Sequence, residues 1–264
     1  MINLDDVIVV SLPFDLDRRR YIETHFESIG IQSYRYFEAI QQSSPLVRTA
    51  YKTGRVLAYP GCFRCGRDEC DCPNNILIPA QVANWLSFQA VWKSLPPDPD
   101  RYFLLCEDDV AFHKSALNLL DDILDGFVRR KEQVLIRLSA SGQEPFRDLS
   151  DSDLRTTENV VMSNAAYILN GALAARLSRE AFHITHTSDV WLHKHMASDP
   201  KIQALTIDPL LATDLSYNKD FARFVSRIHP KGIDSVDEQR KARHVMRVNS
   251  LAEYRALLAT FFDQ

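Results

Sequence analysis

The sequence predicts an α/β fold, a mostly parallel central sheet flanked by helices. Three observations carry that expectation. Short, continuously apolar runs such as Tyr102-Phe103-Leu104-Leu105-Cys106 recur along the chain, and runs of this kind read as strands buried on both faces. Segments with helical spacing lie between them, and strands alternating with helices build a parallel sheet covered by helices. Ser11-Leu12 and Glu107-Asp108-Asp109 close two of the runs, at the strand ends where α/β sheets place their ligands.

The elements follow in order. Val7 to Leu12 is β-prone and stops at Pro13; charged Asp15 to Arg20 leads into a helix over Asp17 to Ile29, ended by Gly30. Ser33 to Phe37 reads as the next strand, and the chain is then irregular through Pro73. Ala80 to Ser94 is a helix stopped by Pro96-Pro97, and the Tyr102 strand follows. A helix from about Ser115 places Ala116, Leu120, Ile123, Leu124 and Phe127 on one face. Val134 to Leu138 and Val160 to Leu169 are further strands, Gly171 to Phe182 a helix, and Ile202 to Ile207 a late strand. One domain over residues 1–264 is expected, with an insertion at 60–75 and a helical carboxyl-terminal segment from about residue 219.

Composition narrows the function classes. At 45% hydrophobic and 25% charged residues the chain is ordinary for a globular protein, and a net charge of −4 argues against a nucleic-acid partner. No apolar stretch approaches the roughly 20 residues that cross a bilayer. The start, Met1-Ile2-Asn3-Leu4-Asp5-Asp6, lacks the basic and apolar parts of a secretory signal, so a cytoplasmic location is expected. From Lys219 to Gln264 nine Lys or Arg stand against six Asp or Glu, an excess that allows at most peripheral membrane contact and otherwise reads as a solvated helical face.

Three adjacent carboxylates are costly unless solvent or a cation receives them. In an extended chain Glu107 and Asp109 share a face and Asp108 points away. Hard oxygen ligands on one face suit Mg2+ or Mn2+, and the competing reading is a wet strand end that caps the next helix. A second cluster is softer. Cys62, Cys65, Cys70 and Cys72, spaced Cys-x2-Cys-x4-Cys-x-Cys among Gly61, Gly66 and Pro73, can surround a structural Zn2+. Disulfides and unligated thiols are the alternatives, the first disfavoured by a reducing compartment. The fifth cysteine, Cys106, reads as an inert core thiol.

Several pieces resemble one family in the same order. Val9-Val10-Ser11-Leu12 with Asp17-Arg18-Arg19 resembles the opening of glycosyltransferase family 25, the lipopolysaccharide and collagen galactosyltransferase type, and Phe37-Glu38-Ala39-Ile40 resembles its next motif. Glu107-Asp108-Asp109-Val110 matches its Glu-Asp-Asp-Val, Ala166-Tyr167-Ile168-Leu169 its Tyr-Ile strand, and Asp189 its Asp before a helix. The likeness covers roughly residues 7 to 215. Departures fall on one helix: Ala80, Gln81, Asn84 and Phe88 stand where the family has Gly, Glu, Cys and His, while Ser87 is kept. The cysteine cluster is an insertion relative to the family pattern.

The resemblance implies a GT-A-like fold and transfer of a sugar, with inversion, from a nucleotide-sugar donor to a glycan or glycolipid acceptor. It implies a catalytic Mn2+ or Mg2+ at Glu107, Asp108 and Asp109. Ser11, Leu12, Arg18, Arg19 and Tyr167 become candidates for holding the donor, since an Arg fork suits phosphate. A solvated helix start is the other reading of the two arginines, and a core ring that of Tyr167. Asp189 is the candidate general base, or a first-turn acid favoured by the helix dipole after a Thr187-Ser188 cap. Trp191 is a sugar-stacking wall or core. His183, His186, His193 and His195 read as partly exposed helix histidines, and His229 could complete a metal shell. If the positions of Gln81 and Phe88 no longer serve catalysis, a zinc-bearing binding protein on a transferase-like fold is the alternative function.

Overall fold

The computed structural model describes residues 4–127, 133–140, 154–216, 223–224, 228 and 247–262. Nine strands are present among them: β1 (Leu4–Ser11), β2 (Arg35–Glu38), β3 (Tyr102–Glu107), β4 (Val110–Phe112), β5 (Gln133–Arg137), β6 (Arg155–Thr157), β7 (Ala166–Asn170), β8 (Ile202–Asp208) and β9 (Ala212–Asp214). The helices are α1 (Leu16–Ile29), α2 (Pro45–Lys52), α3 (Pro79–Ser94), α4 (Ala116–Phe127), α5 (Gly171–Glu180), α6 (Ser188–Val190) and α7 (Leu251–Phe262). A π turn, Trp191–His195, and a 3-10 turn, Met196–Ser198, extend α6.

Seven strands form the main sheet in the order β2-β1-β3-β7-β5-β8-β6, and β4 pairs with β9 in a separate ribbon. Strands β1, β2, β3, β5 and β8 run one way. The expectation of a mixed α/β fold with a largely parallel sheet holds, with two structural refinements: β7 lies mid-sheet and antiparallel to both β3 and β5, and β6 at the edge is antiparallel to β8. Period-2 alternation explains why these strands are apolar throughout. Ile8, Val10, Phe103, Leu105, Leu135, Tyr167 and Leu169 face a layer built on α3 and α5. Their neighbours Val7, Val9, Leu104, Cys106, Val134, Ile136 and Ile168 face the opposite layer, with Ile22 and Phe26 of α1 and Leu120 and Leu124 of α4.

Most sequence-derived boundaries lie within a few residues of the observed ones. Helix α1 ends at Gly30, whose N–H reaches the carbonyls of Glu27 and Phe26 from a left-handed conformation. Ala116, Leu120 and Leu124 are buried as the helical pattern requires; the side chains of Ile123 and Phe127 fall outside the described set. The strand expected over Val160 to Leu169 begins only at Ala166, because Ser163 and Asn164 are engaged in side-chain hydrogen bonds instead. Helix α2 was hidden in a stretch that reads as irregular; Ser44 caps it by accepting from the N–H of Leu46, with Pro45 at its first position. The segment from residue 219 is described mainly as α7, and His229 lies outside the described residues.

One junction fixes how the two halves of the sheet meet. Asn170 is fully buried at the end of β7; its Oδ1 accepts from the N–H groups of Val134 and Leu173, and its Nδ2 donates to the Pro99 carbonyl. The next residue, Gly171, opens α5 against the Pro96–Asp98 backbone, where an added Cβ would sit 2.0 Å from the Pro96 carbonyl oxygen. Main chain cannot swing aside as a side-chain tip can. Gly171→Ala is therefore expected to destabilise the fold by about 1–3 kcal/mol, read from chemical denaturation, whereas Gly126→Ala, with nothing within 4 Å, should be near neutral or stabilising.

Candidate functional site

The carboxyl ends of β1 and β3 lie side by side, with Val10 opposite Glu107, so the Ser11 and Glu107 positions converge on one edge of the sheet. Helix α3 runs back from that edge and α1 leaves it, and each supplies a partner to the acidic triplet. Glu107, the last strand residue, faces the α3 layer and accepts a 3.0 Å hydrogen bond from Asn84 Nδ2. Asp108 faces α1 and takes a 2.7 Å hydrogen bond from the Arg18 guanidinium. Asp109 Oδ2 lies 3.3 Å from the same guanidinium and accepts from Ser216 Oγ at 2.6 Å. The expected pairing of Glu107 with Asp109 on one face is thus corrected. Alternation ends with the strand at Glu107, and the turn that follows carries Asp109 with Asp108 toward α1.

Arg18 also corrects an expectation. It is buried, and Asp15, Asp108 and Asp109 all stand within 4 Å of it. Burial would lower its pKa, but Asp109 and Asp108 outweigh that and raise it. Its fork is engaged by carboxylates and is not presented to phosphate, because three buried acids need a counter-charge. Arg19 donates from Nε to Ser11 Oγ at 3.2 Å and lies over the Tyr36 ring, tying β1 to β2. Leu12 is half-buried at the strand end, and Ser11 is fully buried.

The electrostatics of the edge are unbalanced. Burial, then the nearby Asp109, push the Glu107 carboxyl up to about 8, against the Asn84 hydrogen bond that favours its ionised form. Burial also raises Asp108, with Arg18 opposing. Asp109 Oδ1 is buried with no hydrogen-bond partner, and Asp214 of β9 adds its charge from the next strand. A carboxylate oxygen left without a donor, beside an acid whose ionisation is disfavoured by burial and by Asp109, is what a hard cation would relieve. Glu107 and Asp109 nevertheless face different layers, and among the described residues the carboxylates do not close into a ligand group as tight as that of the four cysteines; what the edge offers a hard cation is the unsatisfied Asp109 oxygen.

A polar relay runs from Glu107 to the second half of the chain. Ser188 Oγ donates to Asn84 Oδ1 at 2.7 Å, and Asn164 Nδ2 donates to Ser188 Oγ at 2.7 Å. Thr187 is the N-cap residue of α6 but makes no side-chain cap, and Ser188, expected to cap, serves the relay instead. Asp189 follows in the first helical turn, half-buried, and among the described residues no hydrogen bond or ion pair engages its carboxylate. The relay thus brings the neighbourhood of Asp189 to Glu107 through Asn84.

Other candidates are core. Tyr167 is fully buried, and its hydroxyl accepts from Trp92 Nε1 at 3.1 Å, which removes it from any donor-binding surface. Trp191 packs against Trp85 and Trp92 at ring-centroid distances of 5.2 and 5.8 Å and is no exposed stacking wall. His193 is fully buried, which corrects its expected partial exposure, and burial with Arg137 nearby pushes its pKa down to about 3. His183 and His195 are exposed and His186 is half-buried. Asn84, Ser188, Asn164, Asp15, Asp214 and Ser216 were missed as site residues. The Cys-to-Asn departure at Asn84 was the one available signal; the rest are ordinary polar residues whose convergence depends on the tertiary fold.

The four cysteines do converge. Their sulfurs all lie within 4.8 Å of one another and none is in a disulfide, and they could hold a zinc ion. Among the described residues theirs is the group of three or more potential ligands drawn this close. Hydrogen bonds from the backbone N–H and side chain of Arg67 lower the Cys65 thiol to about 6, while burial and the neighbouring thiols push Cys72 up to about 12.

No family model and no curated protein matches the chain. Among solved structures it is similar to the crystal structure of a glycosyltransferase involved in the glycosylation of the major capsid of PBCV-1, with a TM-score of 0.38 and 12% identity over 89% of this chain and 96% of that one. No helix among the described residues is long and apolar enough to cross a membrane.

Proposed function

We propose that the chain is a metal-dependent glycosyltransferase with a GT-A-like fold that moves a sugar from a nucleoside diphosphate to a hydroxyl of a glycan or glycolipid, with inversion. The observation that carries this reading is the acidic edge, where the buried Asp109 Oδ1 lacks a hydrogen-bond partner beside Glu107, itself crowded by Asp109. The nucleoside would lie against Leu12 at the end of β1, with its diphosphate toward Glu107 and Asp109. A divalent cation bound there would offset the charge that gathers on the departing diphosphate. Asp189 takes the proton of the acceptor hydroxyl as its oxygen attacks the anomeric carbon from the face opposite the leaving group. The carbon–oxygen bond to the diphosphate breaks, and its electron pair leaves with the nucleotide. The Glu107–Asn84–Ser188 relay fixes the acid edge relative to α6 and so sets the distance between base and leaving group.

A second reading, a zinc-bearing binding protein on the same fold, is favoured by two residues. Gln81 uses its Oε1 to accept from the Ile78 N–H, and Phe88 is fully buried among Trp92 and Tyr167, so both have structural duties where the resembled family carries Glu and His. A thermal-shift screen of nucleotide sugars with and without Mn2+ separates the two. The transferase reading expects one donor to raise Tm only when Mn2+ is present, since a ligand specific to the folded state stabilises it. A flat response across all donors would remove that reading and leave the binding protein.

A further inference from the structure

We propose that Cys62, Cys65, Cys70 and Cys72 bind one Zn2+, and that this knuckle is the staple holding the amino-terminal part of residues 247–262 onto the rest of the molecule. The ligand geometry comes first. Tetrahedral Zn–S bonds of about 2.3 Å set the sulfurs roughly 3.8 Å apart. The four thiols, all within 4.8 Å of one another, need to contract by about an ångström or less to reach that arrangement. The backbone already brings them together. The Cys62 N–H donates to the Arg67 carbonyl at 3.1 Å, which folds the segment between the first two cysteines and Arg67 back on itself. The turn is closed by Gly66, whose N–H reaches the Cys62 carbonyl at 2.8 Å from φ +72°, a conformation that side chains rarely adopt. Four thiolates on Zn2+ carry a net charge of −2, and the nearby positive charge of Arg67 would offset part of it. Soft sulfur selects zinc over the hard cations suited to Glu107 and Asp109.

The second half of the inference rests on how the amino-terminal part of α7 is held. Tyr254 is the helix's single buried residue; at its far end Phe262 packs on Tyr51 at a ring-centroid distance of 5.5 Å and its carbonyl accepts from Arg48, so the lead-in and first turns depend on other contacts. Its lead-in segment is instead hydrogen-bonded to the cysteine loop. Asn75 makes a reciprocal pair with Val248, Nδ2 to the carbonyl at 2.8 Å and Oδ1 from the N–H at 3.0 Å. Tyr59 donates to the Asn249 carbonyl at 2.8 Å, on the other side of the cysteines in sequence. A small apolar cluster of Ile76, Val248 and Tyr254 closes between them. Between Leu57 and Ile78 the chain has no helix or strand of its own, and a loop of this length needs an internal tie to stay ordered. The Phe63 N–H to the Asn75 carbonyl joins the knuckle directly to the residue that docks Val248. A metal at the four sulfurs thus fixes both ends of the loop, Tyr59 and Asn75, against one strap.

The test uses the full chain. Elemental analysis of protein purified under reducing conditions should find close to one zinc per chain. An organomercurial titration then displaces it, with released zinc read by a colorimetric indicator and amide exchange of peptide 251–262 followed by mass spectrometry. Exchange in α7 should accelerate about tenfold or more as zinc leaves, reporting a docked segment that opens locally. Asn75→Ala should keep its zinc yet show the fast α7 exchange. Absence of zinc, whether with four reactive thiols or with disulfides among the cysteines, would overturn the site. Zinc that is present but whose removal leaves α7 exchange unchanged would overturn the staple. None of these readouts involves glycosyl transfer, so the transferase reading stands or falls separately.

Discussion

Arg18→Ala should lower the stability of the protein by about 3–5 kcal/mol at pH 7, because it strands buried carboxylates without their cation. The guanidinium meets Asp108 at 2.7 Å and Asp109 at 3.3 Å, and all three side chains are under a tenth exposed, so solvent screens little of the loss. The deficit is expected to shrink as pH falls. Burial already raises the Asp108 carboxyl and Arg18 opposes it, so without Arg18 Asp108 should take up its proton in the folded state at a higher pH than in the unfolded chain, and once neutral it no longer needs a counter-charge. Urea denaturation at pH 7 and pH 4.5 measures both numbers. Arg20→Ala is the control: its pair with Asp17 is 75% and 87% exposed and should be worth at most about 1 kcal/mol. Equal effects of the two substitutions would show that Arg18 is not the charge centre of the edge.

Glu107→Gln is expected to move stability and activity in opposite directions. Glu107 keeps its proton up to about pH 8 in the folded, cation-free protein, against an ordinary value of 4.5. Between these values the folded state binds more protons than the unfolded chain, so stability falls with rising pH by up to about 1.4 kcal/mol per unit. Glutamine can still accept from Asn84 and never ionises. The variant should therefore be flatter across that window and more stable than the parent at pH 8.5, as measured by denaturation in the presence of a chelator. Under the proposed function its transfer rate should drop about 10²–10³-fold. Mn2+ affinity of the parent should rise nearly tenfold per pH unit below pH 8, because binding at Glu107 displaces a proton; calorimetry in buffers of different ionisation heat would detect it. Affinity independent of pH would exclude Glu107 as a ligand.

The contrast between what was legible and what was not follows from range. The apolar cores of β1, β3 and β5 announced themselves because both faces of each are covered, which forces a continuous apolar run; β8, with Gln203 and Thr206 in it and two half-buried positions mid-strand, was legible only as a β-prone stretch. Strand β6, Arg155–Thr157, carries no such run, since it lies at the sheet edge against β8 alone. That β7 runs against its neighbours is a property of connection, invisible in Ala-Tyr-Ile-Leu-Asn. At the site, the acidic triplet and the cysteine spacing were legible as local clusters. The roles of Arg18 and Tyr167 were not. An arginine in a first helical turn looks the same whether it faces solvent or, as here, residues ninety positions away. Asn84 shows the same limit: its departure from the resembled pattern was visible, but its bond to Glu107 was not.

The place of β7 between β3 and β5 has a consequence for how the molecule is made on the ribosome. Strands β1, β2 and β3 can pair as soon as residue 107 has emerged, but the partner for the free edge of β3 is more than fifty residues further on. At roughly 5–20 residues per second, that edge waits several seconds in the nascent chain with its backbone groups unpaired. During the wait Glu107, Asp108 and Asp109 sit at one end of the open edge. Their mutual repulsion, offset only in part by Arg18 until Ser216 arrives, is well placed to keep two nascent copies from joining there before β7 is made.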